Sequence, residues 1–427
     1  MRSNYKHIGK YVQQVNVRNK DLSVSNLQGI NINKEFMPSV ANTTGTDLSK
    51  YKVVSCKQFA FNPMHVGRDE VLPISMLDME EGVIVSPAYV VFEVKDTNEL
   101  LPEYLMMWCG RSEFDRNAWF TTDSSVRGGF SWADFCDMEL PVPAIEKQRE
   151  IVKEYHTIVD RIKLNEQINQ KLEETAQAIY KQWFVDFEFP ISAEYAAAIG
   201  RPELERKPYK SSGGEMVFNE ELDQEIPKGW EVGGIDYFAD LIDGDRGKNY
   251  PSQDDFKTEG YCLFLNTGNV TKNGFNFSSN SFISKEKNEI LRKGKLERND
   301  IVLTTRGTVG NSAFFSEIIE YENMRINSGM IILRSKNSYG SLFVYLLLKS
   351  SLMKKVIENF LSGSAQSHLP IKDIKRIFVL VPERELVPLA MNYAAPLQKR
   401  LDLNNKHNRG LFKFRDVLLS KMTKMVA

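Results

Sequence analysis

The sequence predicts a mixed α/β chain: two α+β globular domains in tandem, each followed by a long α-helix, with the two helices pairing as an antiparallel coiled coil. Three observations lead there. At 427 residues the chain is longer than one hydrophobic core usually holds. Its second half repeats its first at a fixed offset. Each copy ends in a stretch whose seam positions recur at alternating spacings of four and three.

Self-comparison finds the repeat, and a long-period repeat decides architecture before any motif does. The segment SSVRGGFSWADFCDMELPVP (124–143) lies over GSAQSHLPIKDIKRIFVLVP (363–382). Ser125 falls on Ser364, Phe130 on Leu369, Trp132 on Ile371, Asp134 on Asp373 and Pro143 on Pro382, each pair 239 apart. The same offset continues without a gap, placing Asn165 on Asn404, Asn169 on Asn408, Leu172 on Leu411 and Ile179 on Leu418.

In each copy β-rich segments come first: KVVSCKQFAF and GVIVSPAYVVFEV, then YCLFLNTGNV, DIVLTTRGTVG and GMIILRS. An amphipathic helix follows, over about 101–119 and 340–360, then a polar loop and a short strand ending at Pro143 or Pro382. Between the copies, 189–230 carries several prolines and the Ser-Ser-Gly-Gly turn at 211–214, which reads as a linker. The expected boundaries are a first domain over 1–143, a helix over 144–188, a linker over 189–228, a second domain over 229–382 and a second helix over 383–427.

No proline interrupts the first helix from Ala144 to about Phe187, and Pro143 sits where a helix start tolerates it. At about 1.5 Å per residue, roughly 40 residues span roughly 60 Å. Its seam is Ile158, Ile162, Asn165, Asn169, Leu172, Ala176, Ile179 and Trp183; the second helix gives Leu397, Leu401, Asn404, Asn408, Leu411, Arg415, Leu418 and Met422. An amide in such a seam lowers stability but fixes register, because a mispaired amide is buried without a hydrogen bond. If the two helices of the chain pair antiparallel about their midpoints, Asn165 faces Asn408 and Asn169 faces Asn404. The alternative rotates the seam onto Leu164, Ile168 and Lys171, but the second helix offers Asp402, Asn405 and Lys406 there. Gly410 marks either a close backbone approach or a bend.

Composition is that of an ordinary globular protein, 42% hydrophobic and 26% charged. Residues 1–228 hold 26 Lys/Arg against 35 Asp/Glu, and residues 229–427 hold 29 against 21, so the second half is the better suited to a polyanion. The four cysteines, Cys56, Cys109, Cys136 and Cys262, are far apart and form neither a zinc motif nor a disulfide framework. The opening MRSNYKHIGKYVQQ lacks the apolar core of a signal peptide, and no apolar run approaches membrane-spanning length. A cytoplasmic protein outside the membrane is expected.

Catalytic signatures are missing. GDRGK (244–248) and RGTVGNS (306–312) come nearest to phosphate-binding glycine loops and fail on spacing. The five histidines make no ligand-spaced cluster, and no catalytic residue, metal or cofactor site is assigned. A duplicated protein with long spacers and no active site reads as a binder. An enzyme built from dispersed carboxylates and a coiled-coil interaction scaffold that needs no nucleic acid remain as alternatives.

The residues also carry a family likeness. PVPAIEKQREIV followed by AQAIYKQWFVDFEFP (176–190) resembles the central conserved region of specificity (S) subunits of type I restriction-modification systems. FRDVLLSKM (414–422) is similar to their distal conserved region, and EIPKGWE (225–231) to the opening of a target recognition domain. The resemblance implies a non-catalytic subunit in which each recognition domain reads half of a bipartite sequence in double-stranded DNA and the helices set the spacing. It also implies two adenine-N6 methyltransferase (M) subunits docked on the helices and restriction (R) subunits that can join. S-adenosylmethionine, ATP and Mg would belong to those partners. Two departures stand out: the first domain lacks the Pro-x-Gly-Trp opening of Pro227 to Trp230, and Val387 stands where the repeat would place Gln148.

For such a subunit the polar loops are the candidate DNA contacts. TTDSSVRGG (121–129) and LSGSAQSH (361–368) offer Ser125, Arg127, Ser364, Gln366 and His368. GDRGKNY (244–250) and TTRGTVGN (304–311) add Arg246, Lys248, Arg306 and Asn311, and FNPMHVGRDE offers His65 and Arg68. Trp132 and Ile371 are expected in the core, whereas Trp183 and Phe184, which could instead face a methyltransferase, are expected to pack within or beside the seam.

Overall fold

The structure is a computed structural model that describes residues 5–39, 45–64, 66–122, 129–336, 339–362 and 368–422. It contains two compact units, residues 1–164 with 409–427 and residues 165–408. The sequence boundaries put the divisions at helix ends, whereas the contacts put them inside the helices. The reason is packing. Ile151 of the helix Ile145–Phe184 joins the first unit's core, while its Ala176, Tyr180, Trp183 and Phe184 join the second's. The helix Leu386–Lys421, which contains Pro396, gives Val387, Ala390 and Ala394 to the second unit, and its end, with Leu419 and Met422, to the first.

In the first unit the opening strand Tyr5–His7 pairs antiparallel with Glu139–Pro141, Tyr5 opposite Pro141. A four-stranded antiparallel sheet runs in the order Val12–Gln14, Val90–Val94, Phe59–Phe61, Ile74–Met76. Alternation decides its two faces: Phe59, Phe61 and Phe92 enter one core, Ala60 and Val91 another, so the strands read as continuous apolar runs. Helices Pro102–Cys109, Ser112–Thr121 and Trp132–Asp137 close the larger core with Tyr104, Phe114 and Phe135. The last begins with a capping box in which Ser131 Oγ accepts from the Asp134 amide and the Asp134 carboxylate accepts from the Ser131 amide.

The second unit repeats this plan. Glu231–Gly234 pairs antiparallel with Phe378–Val381, and a four-stranded sheet runs Ala239–Asp243, Met330–Ser335, Ile301–Thr304, Ser312–Phe314. Helices Ser341–Lys349, Ser351–Ser362 and Ile371–Ile374 follow. The first domain's opening strand therefore forms the same pairing without the Pro-x-Gly-Trp sequence. A further three-stranded sheet, Phe282–Ile283, Cys262–Leu265, Met324–Ile326, belongs to this unit.

The segment read as a linker is folded. Glu188–Pro190 pairs with Pro208–Lys210, and Met216–Asn219 with Gln224–Pro227. Phe187, Phe189, Ile226 and Trp230 lie in the second unit's core, the rings of Phe189 and Trp230 stacked at 6.0 Å. Prolines and glycines mark turns, but they do not report the aromatic residues that tie those turns down.

Folding also removes the charge asymmetry of the halves. The first unit holds 24 Lys/Arg against 23 Asp/Glu and the second 31 against 33, because the acidic segment from Glu166 to Glu225 belongs to the second unit. Attraction for a polyanion then depends on where charges cluster.

Gln148 shows why the two helix starts differ. Fully buried, it donates to the Glu99 and Pro143 carbonyls and accepts from the Leu101 amide, all at 2.9 Å. It thus ties the N-cap of Pro102–Cys109 to the long helix. Val387, its counterpart, is 1% exposed in the apolar core, and the second unit instead joins Lys349 Nζ to Glu173 at 2.7 Å and Gln177 to the Leu346 carbonyl at 3.1 Å. Gln148→Leu leaves three backbone groups unpaired and is expected to destabilise the first unit by roughly 3 kcal/mol. Urea unfolding of the full chain checks this, and an unchanged midpoint would contradict the clamp.

Candidate nucleic-acid interface and helix seam

The seam is built from side chains at the alternating spacing. Ile162, Asn165, Ala176 and Trp183 are buried on the first helix, Asn404 and Asn408 on the second, and Met422 just past its end. Leu164 is 46% exposed and Lys171 is exposed, so the rotated seam is not formed. Within the second unit Asn165 Nδ2 donates to Asn408 Oδ1 at 2.7 Å, and Asn404 Nδ2 donates to Asn169 Oδ1 at 3.0 Å. Asn169 also donates to Asn405 Oδ1 at 2.8 Å, a partner the repeat does not indicate because its counterpart is Glu166. Rising numbers on one helix meet falling numbers on the other, which makes the pairing antiparallel. Gly410 has nothing within 4 Å of a Cβ built on it, which excludes a close backbone approach.

At one end of the second unit's sheet, candidate residues from separate loops converge. Asp243 pairs with Ile331 and Thr304 with Met330, so the loops that leave these strands emerge side by side. The Thr305 and Arg306 amides donate to the Gly329 carbonyl at 2.8 and 3.2 Å, and Arg306 bridges to His368. The His368 ring nitrogen Nδ1 lies 3.0 Å from the Thr305 carbonyl. Arg246 reaches the Ser328 carbonyl at 3.4 Å and pairs with Asp243 at 3.2 Å. Gly307 at φ +70° and Gly310 at φ +90° turn the loop in a conformation that side chains disfavour.

Arg246, Lys248, Arg306 and His368 thus share one edge, the first three of them exposed. Asn311 is half-buried and its amide donates to the Val270 carbonyl at 3.2 Å, which commits part of it to holding the loop. Ser125, Arg127, Ser364 and Gln366 lie outside the described residues, as do His65 and the side chain of Arg68. Trp132 packs its ring on Phe92 and Phe135, and Trp183 and Phe184 are core residues.

Sequence reading missed Asp245. It is 5% exposed and accepts from the amides of Arg246 at 2.7 Å, Arg292 at 2.5 Å and Lys293 at 3.3 Å. Burial opposes its charge, but the three amides and the Arg292 side chain outweigh burial and hold its pKa below the ordinary carboxylate value. A carboxylate next to a glycine-flanked basic residue was the available signal. Among the described residues no group of His, Cys, Asp and Glu could hold a metal, and no helix is long and apolar enough to cross a membrane.

A repeated α/β domain, each copy followed by a long helix, with loops gathered at a sheet end in the second copy, defines a tandem-repeat protein. The chain belongs to the family of the type I restriction modification DNA specificity domain, which matches residues 15–174 and 227–385. The type I restriction enzyme MjaIX specificity subunit of Methanocaldococcus jannaschii is 25% identical over 343 residues, 80% of this chain and 69% of that one. The HindI specificity subunit of Haemophilus influenzae is 25% identical over 396 residues, 80% of this chain and 81% of its own. In fold the chain is similar to the S subunit of a type I system from M. genitalium, with a TM-score of 0.53 at 14% identity over 98% of this chain and 95% of that one.

Two outcomes test this geometry. Asn408→Ala leaves Asn165 buried without its acceptor and is expected to lower stability by roughly 1–3 kcal/mol, read by chemical denaturation. Because the Asp245 pKa is lowered in the fold, its contribution is fully present above the ordinary value of 3.8 and is lost as pH falls through the lower, folded value. Protection of the Arg292 and Lys293 amides from hydrogen exchange should drop across that acid range and be lower in Asp245→Asn already at neutral pH.

Proposed function

We propose that the chain is a non-catalytic, sequence-specific DNA-binding subunit that reads a bipartite target in double-stranded DNA, one half with each unit. The observation that carries this is the duplication of one α/β unit on helices whose amides pair in an antiparallel register. In the second unit Arg246, Lys248, Arg306 and His368 are the contacts we assign to DNA, with Asn311 shaping their loop. Ser364 and Gln366, and Ser125 and Arg127 in the first unit, complete the set from sequence. Arg306 is suited to base edges through its planar fork, whereas Lys248 is a point charge suited to phosphate.

The helices act as the spacer, and Asn165, Asn169, Asn404 and Asn408 hold its register. A slip of seven residues moves a position along the seam by about 10 Å, roughly three base pairs at 3.4 Å each. Their outer faces recruit two adenine-N6 methyltransferase subunits, and restriction subunits join that assembly. S-adenosylmethionine, ATP and Mg are bound by those partners, in the cytoplasm. The relatives named as specificity subunits support this reading.

Methylome sequencing of cells with and without the chain tests it: a bipartite adenine-methylated motif is expected to vanish on deletion. Unchanged methylation together with no salt-dependent affinity for duplex DNA, alone or with a methyltransferase subunit, favours the scaffold reading instead. Replacing Asn165, Asn169, Asn404 and Asn408 together by Leu is expected to preserve or raise helix stability while broadening the spacing between methylated half-sites. One unchanged spacing removes the register role.

A further inference from the structure

We propose that Arg292 and Lys293 join Arg246 and Lys248 in a clamp for the phosphate backbone of duplex DNA, a sequence-independent anchor beside the loops that read bases. The proposal rests on the DNA-binding reading above and adds to it two residues and a division of labour.

Two segments distant in sequence are fastened together here by buried groups whose bonds go to backbone. The Asp245 carboxylate collects the amides of Arg246, Arg292 and Lys293. From the other side Arg325, 4% exposed, donates to the carbonyls of Lys293 at 2.6 Å, Asn288 at 2.8 Å and Leu291 at 2.9 Å, and to the Asn288 side chain at 2.7 Å. The segments touch where only glycine fits. A Cβ on Gly294 would stand 3.2 Å from Gly244 Cα, and one on Gly244 would stand 2.3 Å from the Asn327 carbonyl oxygen.

Burying a carboxylate and a guanidinium is costly unless each is fully bonded, and here each is bonded to main chain that carries exposed cations. Lys248, Arg292 and Lys293 all face solvent, and among the described residues none has a carboxylate in ion-pair contact. Arg246 is held by Asp243 and the Ser328 carbonyl, which fixes its direction. The outcome is a corner with exposed positive charge on a braced backbone, in a unit that is otherwise slightly acidic. Such an arrangement suits an anion of regular spacing and loses little side-chain support on binding. The cations neutralise phosphates and leave base discrimination to the Arg306 loop.

The test uses the full chain in complex with its methyltransferase partner and two duplexes, one carrying the motif found by methylome sequencing and one scrambled. Binding is followed by fluorescence anisotropy across a salt series. Arg292→Ala with Lys293→Ala is expected to weaken both duplexes by a similar factor, roughly tenfold at physiological salt, and to reduce the slope of log affinity against log salt by about 2. The methylated motif is unchanged, and Arg292→Lys with Lys293→Arg retains the wild-type slope. An unchanged slope in the double alanine variant, or a loss confined to the motif duplex, overturns the clamp while leaving the DNA reading intact. Absence of salt-dependent binding by the wild-type complex to either duplex overturns both.

Discussion

A buried amide must find a partner, and the paired helices are organised around that requirement. Apolar seam residues such as Ile162, Ala176 and Trp183 supply burial, but burial alone is indifferent to a slip by one heptad. The pairs Asn165 with Asn408 and Asn169 with Asn404 are sensitive to such a slip, since an amide as buried as Asn165, Asn404 or Asn408 is costly to leave unbonded. Each unit's core also includes residues from the segments that carry the two helices.

The two units reach one architecture by different chemistry. Opening strand, four-stranded sheet and helix order are shared, while the attachment of each domain to its helix is polar at Gln148 and apolar at Val387. The second unit has instead the pair of buried Lys349 with half-buried Glu173. Duplication preserved the layers that positional alternation encodes and allowed the joints to diverge.

The loop end of the second unit illustrates how buried charge can serve an exposed function. Asp245 and Arg325 bond to the backbone of the segment that carries Arg292 and Lys293, and so hold main chain whose side chains are exposed. Net charge by itself is uninformative here, since each unit is nearly neutral. Local clustering is what a polyanion meets.

The sequence by itself determined the repeat, the strand-rich domains, the two helices and the amide pairs, because all of these are periodic or offset patterns that a linear comparison reads directly. The family resemblance was legible in WFVDFE and its neighbours because a contiguous motif needs no fold to be read. Tertiary structure alone decided that the units divide within the helices, that the proline-containing segment after Phe187 is anchored by Phe189 and Trp230, and that Asn169 also binds Asn405. It alone brought Asp245 to Arg292 and Lys293. These features join residues with no fixed spacing. Their energy comes from burial and hydrogen bonding that exist only once distant segments have met.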